Sequence, residues 1–286
     1  MSEPFREGED VLLYLDAKRK YLTSIQAGRQ LHTHRGFIQL SEIVGKRPGE
    51  SVLSSMRETF VVFRPNIRDY LMKLPRMTQV MYPKDIGLIL VYANIQPGSR
   101  VVEAGVGSGM LTAVLASHVK PTGRVYGYEI NEAFLSNASR NLARLGLDPY
   151  VELKNTDVLE GVKEEDVDAV VLDLATPWLV VPYASAALKG GGTLASFSPT
   201  INQVEKTVQA LTETGFVEVE TVELILRNFK VKTGETRPVT LMIGHTGYLV
   251  FARKTFLREH DKGREDRSTS QGTVGGERPQ GDLSRY

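Results

Sequence analysis

The sequence predicts an α/β protein: a Rossmann-like, mostly parallel sheet of seven strands preceded by a small all-β unit. Three observations carry this. Val101-Val-Glu-Ala-Gly-Val-Gly-Ser-Gly109 reads as a buried strand ending in an acid and three glycines at alternate positions, with ten residues of helical pattern behind it. From Lys84 onward strand and helix patterns alternate, as in a parallel sheet. Finally, two long β segments, 216–231 and Gly247–Arg253, follow one another with no helix between, so they should pair antiparallel as a closing hairpin.

The elements follow in order. Val11–Leu15, Tyr21–Ile25, Gly36–Leu40, Ser51–Leu53 and Thr59–Phe63 are short apolar runs split by Gly and Pro signals, which suggests a small barrel or sandwich over residues 1–75. Pro65 and Pro75 mark a boundary region. Ile86, Ile89, Leu90 and Ala93 share one face of a helix that Gln96-Pro97-Gly98 ends. Strands are expected at 100–105, 124–130, 151–156, 168–173 and 193–197. Asn131 is the N-cap and Gly146 the C′ residue of one intervening helix, Thr176 and Pro177 open another, and Thr200-x-x-Gln203 reads as a capping box for a third. Residues 76–258 form this second domain. Residues 259–286 are Gly, Ser, Thr, Arg, Asp and Glu with little else, a disordered tail by composition.

At 286 residues, 41% hydrophobic and 24% charged, the chain has the composition of an ordinary soluble globule. It has no run of 18 apolar residues and no apolar N-terminal leader pattern, and its lack of cysteine excludes disulfides, thiol nucleophiles and cysteine-ligated zinc. A cytoplasmic protein is expected. The net charge is +1, distributed as +3 over residues 1–75, −4 over 76–180 and +3 over 181–258, a weak hint of basic flanks for a polyanion.

The glycine spacing selects the ligand. A pyrophosphate fingerprint, G-x-G-x-x-G, would place its third glycine at Met110, and Glu103 would repel a pyrophosphate; a ligand carrying an ammonium and a sulfonium suits this acid. Glu129, twenty residues after Gly109, sits where an acid meets ribose hydroxyls. Asp157, at the end of the third strand, could accept from an adenine amino group or simply cap a turn. Asp173, at the end of the fourth, could accept from the exocyclic amine of a substrate base, or cap the helix at Thr176. Tyr82 and Trp178 are candidates to stack on that base, and His245 is a third substrate candidate with its role open. His32 and His34 alternate on one face but lack a third ligand, so no metal is expected. Lys18, Arg19, Lys20 and Arg35 are either solvated turn charges or phosphate contacts.

Taken in order, Thr78-Gln79-x-x-Tyr82-Pro83-Lys84-Asp85, Glu103-x-Gly105-x-Gly107-Ser108-Gly109, Asp173-Leu174-x-x-Pro177-Trp178, Ser198-Pro199-Thr200-x-x-Gln203, Arg237-Pro238 and Gly244-His245-Thr246-Gly247 resemble the tRNA (adenine-58-N1)-methyltransferases of the bacterial and archaeal single-gene type, over roughly residues 5–255. The glycine motif alone says only methyltransferase; the Tyr-Pro-Lys-Asp and Asp-Leu-x-x-Pro-Trp segments are more specific. The resemblance implies the Rossmann-like class I methyltransferase fold, S-adenosyl-L-methionine as cofactor, tRNA as partner, a homotetramer, and methylation of N1 of adenine 58, in some archaeal members also of position 57. It implies that Asp173 and Tyr82 act at the target base. It also implies that Gln79, Glu103, Gly105, Val106, Gly107, Ser108, Gly109, Met110, Leu111, Glu129, Asp157, Val158 and Asp173 hold the cofactor. Phe229 stands where the family leads one to expect tryptophan. Rival readings are a class I methyltransferase for an isoaspartyl group or small molecule, a non-catalytic tRNA-binding subunit, which should have lost its glycines, and a nicotinamide oxidoreductase, which should have a sixth parallel strand.

Overall fold

The computed structural model describes residues 3–73 and 81–256. Six short strands come first: β1 (Asp10–Tyr14), β2 (Lys20–Ser24), β3 (Gln30–Thr33), β4 (Gly36–Gln39), β5 (Ser51–Leu53) and β6 (Thr59–Phe63). They form an antiparallel sheet in the order β2-β1-β6-β5 and a separate β3-β4 hairpin. Fully buried Phe5, Leu13, Ile25, Ile38, Phe60 and Val62 make its core. β3 arises in a stretch with no strand signal of its own; pairing with β4 and packing of Leu31 against this core supply what local pattern does not.

A helix the sequence reading missed, α1 (Ile67–Lys73), follows Pro65. Asn66 and Asp69 each accept a hydrogen bond from the other's backbone amide, both at 3.0 Å, a reciprocal cap that the Asn-x-x-Asp spacing could have signalled. The expected boundary at residue 75 and Gln79 lie outside the described residues, as does the tail 259–286.

The rest alternates as expected: α2 (Pro83–Tyr92), β7 (Arg100–Ala104), α3 (Met110–Val119), β8 (Arg124–Tyr128), α4 (Glu132–Arg144), β9 (Val151–Lys154), β10 (Val167–Leu172), α5 (Pro177–Ala187), β11 (Leu188–Ser198), α6 (Ile201–Glu213), β12 (Val217–Val222), β13 (Phe229–Lys230), β14 (Arg237–Pro238) and β15 (Tyr248–Arg253). Seven of these strands form one sheet in the order β12-β15-β11-β10-β7-β8-β9. β7 to β11 run parallel, and β15 is antiparallel to both β11 and β12. Helices cover both faces, which is why Ala169-Val-Val-Leu172 is apolar at every position and wholly buried. The strand order reverses at β7 and β10, the place where an open α/β sheet leaves a crevice beyond its carboxyl ends.

Three local expectations need correction. The segment 216–231 is not one strand: β15 begins at Tyr248, next to Leu249, the partner of Val222, so residues beyond Val222 have almost no ladder left to join. The chain instead leaves the sheet and forms the small β13-β14 hairpin. Thr176 occupies the N-cap of α5 without a side-chain cap hydrogen bond. Thr200 likewise caps α6 in position only; its hydroxyl donates to Gln203 Oε1 at 2.8 Å, and Gln203 Nε2 donates to the Ala175 carbonyl at 2.9 Å. Gln203 thus bridges to the loop after β10 in place of a capping box. Asn131 does cap α4, accepting from Ala133 and Phe134.

The two sheets are joined through Asp10. Arg144 of α4 donates to both its oxygens, at 2.7 and 2.9 Å, and Ser24 and Tyr70 add hydrogen bonds at 2.6 and 3.1 Å. Burial opposes the Asp10 charge, but these partners outweigh it and hold the carboxyl below the usual carboxylate range.

Candidate active site

Beyond the carboxyl ends of β7, β8, β9 and β10 lies a cavity of about 400 Å³, within the size range of small-molecule sites. Gly105, Val106, Gly107 and Ser108 form one wall, with Met110 and Leu111 from the start of α3; Glu129, Asp157, Val158 and Asp173 complete it. Ten of the residues expected at a cofactor therefore come together. Residues not anticipated also line it: Met81, Tyr128, Ile130, Phe134, Thr156 and Leu174–Thr176. Most of them neighbour a residue that was anticipated, which is the only signal the sequence offered.

The glycines do two different jobs. At Gly105 a Cβ would stand 3.4 Å from Glu129 Oε2 and 3.6 Å from the Asp173 carbonyl, in the cavity wall, so its absence keeps the floor open. Gly109 does not line the cavity. It is the N-cap of α3, at φ +75°, and a Cβ there would come within 2.8 Å of Ala138 Cβ on α4. Gly109→Ala is expected to cost about 2–4 kcal/mol through left-handed backbone strain and the clash with α4. Chemical denaturation checks this; a loss below about 1 kcal/mol would mean that α4 simply moves aside.

The acids differ sharply. Glu129 accepts from the backbone amides of Gly107 and Asn131, both at 2.9 Å, so it braces the glycine loop. Asp157 accepts from Leu159 N at 2.9 Å, capping a short turn while still facing the cavity. Asp173 is half-buried at the rim; its amide donates to the Ala104 carbonyl at 2.6 Å and its carbonyl accepts from Gly105. Burial pushes its carboxyl up to about 6.

Glu103 is wholly buried behind the glycine loop, and neither carboxylate oxygen has a hydrogen-bond partner. Burial pushes it up to about 8; the Asp173 and Glu129 charges add to this, and Thr112 only partly offsets it. Because its folded value lies above the unfolded one, the stabilisation from its protonated form is lost as pH rises through about 8. The free protein should therefore lose stability in that window, and Glu103→Gln should flatten the loss. Thermal melts between about pH 6.5 and 9.5 test this, and a glutamine variant melting below wild type at the alkaline end contradicts it.

The substrate candidates stand outside the cavity lining. Tyr82 is the N-cap of α2, next to Met81, which does line it. Trp178 lies under Lys206, whose ammonium is 4.6 Å from the ring centroid. His245 is exposed rather than buried, yet satisfied: Nδ1 is 2.7 Å from Glu223 Oε1 and Nε2 is 3.2 Å from the Pro199 carbonyl. Those partners hold the imidazole above its usual range. Beside it, Thr246 joins a buried ion pair that the sequence reading did not foresee. Lys84 Nζ donates to Asp85 Oδ1 at 2.7 Å and to Thr246 Oγ1 at 2.6 Å, and Thr246 donates to Asp85 Oδ2 at 2.9 Å. Among the described residues, no helix is long and apolar enough to cross a membrane, and His34 contacts Arg19 and Tyr21.

Comparison with known proteins agrees with this geometry. The family model of the tRNA methyltransferase complex GCD14 subunit matches residues 60–237, and a TrmI-like N-terminal model matches residues 4–52. The tRNA (adenine(57)-N(1)/adenine(58)-N(1))-methyltransferase TrmI of Methanocaldococcus jannaschii is 37% identical over 247 residues, 77% of this chain and 86% of the relative. A SAM-dependent O-methyltransferase structure from Thermotoga maritima has a TM-score of 0.87 at 38% identity, covering 90% of this chain and 97% of that one. The tRNA (m1A58) methyltransferase TrmI structure from Aquifex aeolicus has a TM-score of 0.79 at 31% identity, covering 89% of this chain and all of that one. The seven-stranded sheet is thus the class I S-adenosylmethionine-dependent methyltransferase fold. With more than half of its length matched, the chain belongs to the family of the tRNA methyltransferase complex GCD14 subunit.

Proposed function

We propose that this enzyme methylates N1 of adenine 58 in the T-loop of tRNA, using S-adenosyl-L-methionine. The observation that carries the reading is Asp173: a carboxylate at the switch point of the sheet, held by backbone bonds to Ala104 and Gly105, at the rim of a glycine-walled cavity. When bound, the cofactor supplies a methyl group on a cationic sulfur, an electrophile for a ring nitrogen. Glu129 and Asp157, both in the cavity wall, suit its ribose hydroxyls and adenine amine. Asp173 then has two tasks. It accepts a hydrogen bond from the exocyclic amine of the target base, fixing N1 toward the cavity, and it stabilises the positive charge that the ring gains on methylation. Tyr82, next to Met81 of the cavity wall, and Trp178, five residues beyond Asp173, are the aromatic side chains offered for stacking on the base, and His245 is a further candidate for contact with the RNA.

Position 57 is a second reading, favoured by the 57/58 specificity in the name of the M. jannaschii relative. An oxygen acceptor is a third, from the name of the T. maritima structure. Methyl transfer to unmodified tRNA transcripts, with the modified nucleoside identified and located by mass spectrometry, separates them: 1-methyladenosine at 58 is expected, and a ribose-methylated or guanine product overturns the assignment.

The finer organisation belongs with this proposal: a β-rich unit over residues 1–75, a methyltransferase domain over 76–258, a cytoplasmic setting where tRNA is matured, and a homotetramer. Support for self-association comes from the arm around β13 and β14, where Ile225, Leu226, Phe229, Val231, Leu241 and Ile243 are all more than half exposed. Apolar side chains so concentrated mark a surface that another protein covers.

A further inference from the structure

The three turns of the N-terminal sheet unit converge on one end of it. The β1-β2 and β3-β4 turns meet where Arg19 Nη1 lies 2.9 Å from His34 Nε2. The β5-β6 turn joins them: the Ser54 hydroxyl donates to the Arg35 carbonyl at 2.6 Å, and Arg35 pairs with Glu58 at 3.4 Å. This end lies away from the Asp10–Arg144 contact with the methyltransferase domain, whose core also meets Leu22 in the middle of β2. Asp10, at the start of β1, is bound by Arg144, whereas Tyr14, at its other end, lies about 13 Å along the strand.

The convergence concentrates positive charge. Lys18, Arg19, Lys20, Arg35 and Arg57 lie in or beside the three turns, against only two carboxylates, Asp16 and Glu58. Asp16 is held by Arg19 and Glu58 by Arg35. Lys18 and Arg57 are exposed and make no ion pair among the described residues. Aromatic rings accompany the cations: the Lys20 ammonium lies 5.6 Å from the Tyr14 ring centroid, and Tyr14 meets Phe63 edge-on at 6.1 Å. Phe63, the partner of Leu12 across the β1-β6 ladder, is 39% exposed. Five cations gathered at one end of a sheet against two carboxylates do little for folding, since like charges repel. Cations that grip phosphates beside rings that stack on bases are the means by which proteins hold an RNA strand.

We propose that this end of the N-terminal unit is an RNA-docking surface that grips the backbone of the substrate tRNA away from the methylated base. The inference rests on the tRNA reading above and adds the location of a second, remote contact. It gives the weakly charged chain a localised phosphate-binding patch on a unit that contributes nothing to the cavity lining.

The test is a Lys18→Ala, Lys20→Ala, Arg57→Ala triple variant of the full-length protein, with an unmodified tRNA transcript, followed by fluorescence-anisotropy binding and by turnover. Between about 50 and 200 mM salt, the variant should bind tRNA at least about tenfold more weakly at the low end, and its slope of log affinity against log salt should be shallower by about 2 to 3. KM for tRNA should rise while kcat and cofactor affinity stay within about twofold, and a Lys18→Arg, Lys20→Arg variant should bind like wild type. Unchanged tRNA affinity and salt slope would overturn the proposal. So would a drop in sedimenting mass that accounts for the loss, because the surface would then hold a second copy of this chain. If wild-type protein binds tRNA with this salt dependence but transfers no methyl group, the reaction assignment fails and the docking surface stands.

Discussion

Asp173→Asn is expected to abolish methyl transfer while making the cofactor-free protein more stable at pH 7 to 8. The loss of rate should be about 10²- to 10⁴-fold, the usual worth of a positioned carboxylate that handles charge and a proton at the reacting group. The gain in stability follows from the cost of holding that carboxylate ready. Burial pushes Asp173 up to about 6 from an ordinary value of 3.8, so its protonated form is the one the fold favours. The corresponding stabilisation is fully present below the unfolded value and is lost as pH rises through about 6. At neutral pH the ionised side chain therefore costs on the order of 2–3 kcal/mol, which the asparagine avoids. The same value predicts that wild-type kcat/KM falls as pH drops through about 6, when the carboxylate becomes protonated. Single-turnover assays with tRNA, alongside thermal melts at about pH 5 and pH 8, test all three consequences. Wild-type turnover in the variant would remove Asp173 from the mechanism; a lower melting temperature at the alkaline pH would show that the side chain is structural.

What the sequence revealed of this fold is what local pattern can carry. Alternating helical and strand periods gave the βα units, and the missing helix before β15 gave the antiparallel close, because both are written into consecutive residues. Asp157 and Asp173 could be placed at the cavity because the residues that follow a strand in an open α/β sheet emerge at its carboxyl edge. What stayed hidden depends on residues far apart in the chain. β3 exists because β4 pairs with it. Gln203 looked like a local cap but bonds to Ala175, 28 positions away. Glu103 was read as facing a ligand, yet strand alternation turns it behind the loop toward α3, where Thr112 is its neighbour. The arm after Val222 looked like strand because its residues are apolar, and only the short length of β15 denies it a partner.

The Tyr-Pro-Lys-Asp segment is the sharpest instance, and it yields the second large prediction. Two of its four residues serve a clamp. Lys84 and Asp85 side chains are only 7% and 1% exposed, and they close on Thr246, which lies 162 residues beyond Lys84 and precedes β15. The clamp fixes the first turn of α2, and with it Met81 in the cavity wall and Tyr82 beside it, to the loop that carries His245. Removing one partner of a buried pair leaves the other charged and unpaired, so Asp85→Ala is expected to cost about 3–5 kcal/mol and to lower the melting temperature by roughly 6–15 °C. Replacing both ions with apolar residues of similar size, as in a Lys84→Met, Asp85→Leu double variant, should recover much of that stability, because the desolvation cost disappears along with the attraction. The two variants separate folding from function. If the clamp acts by aiming the start of α2, the stable double variant should still show a raised KM for tRNA, because Thr246 is no longer tied to the helix. A double variant as stable and as active as wild type would reduce the motif to packing. One as unstable as Asp85→Ala would show that the charged pair, rather than the volume it fills, holds the two segments together.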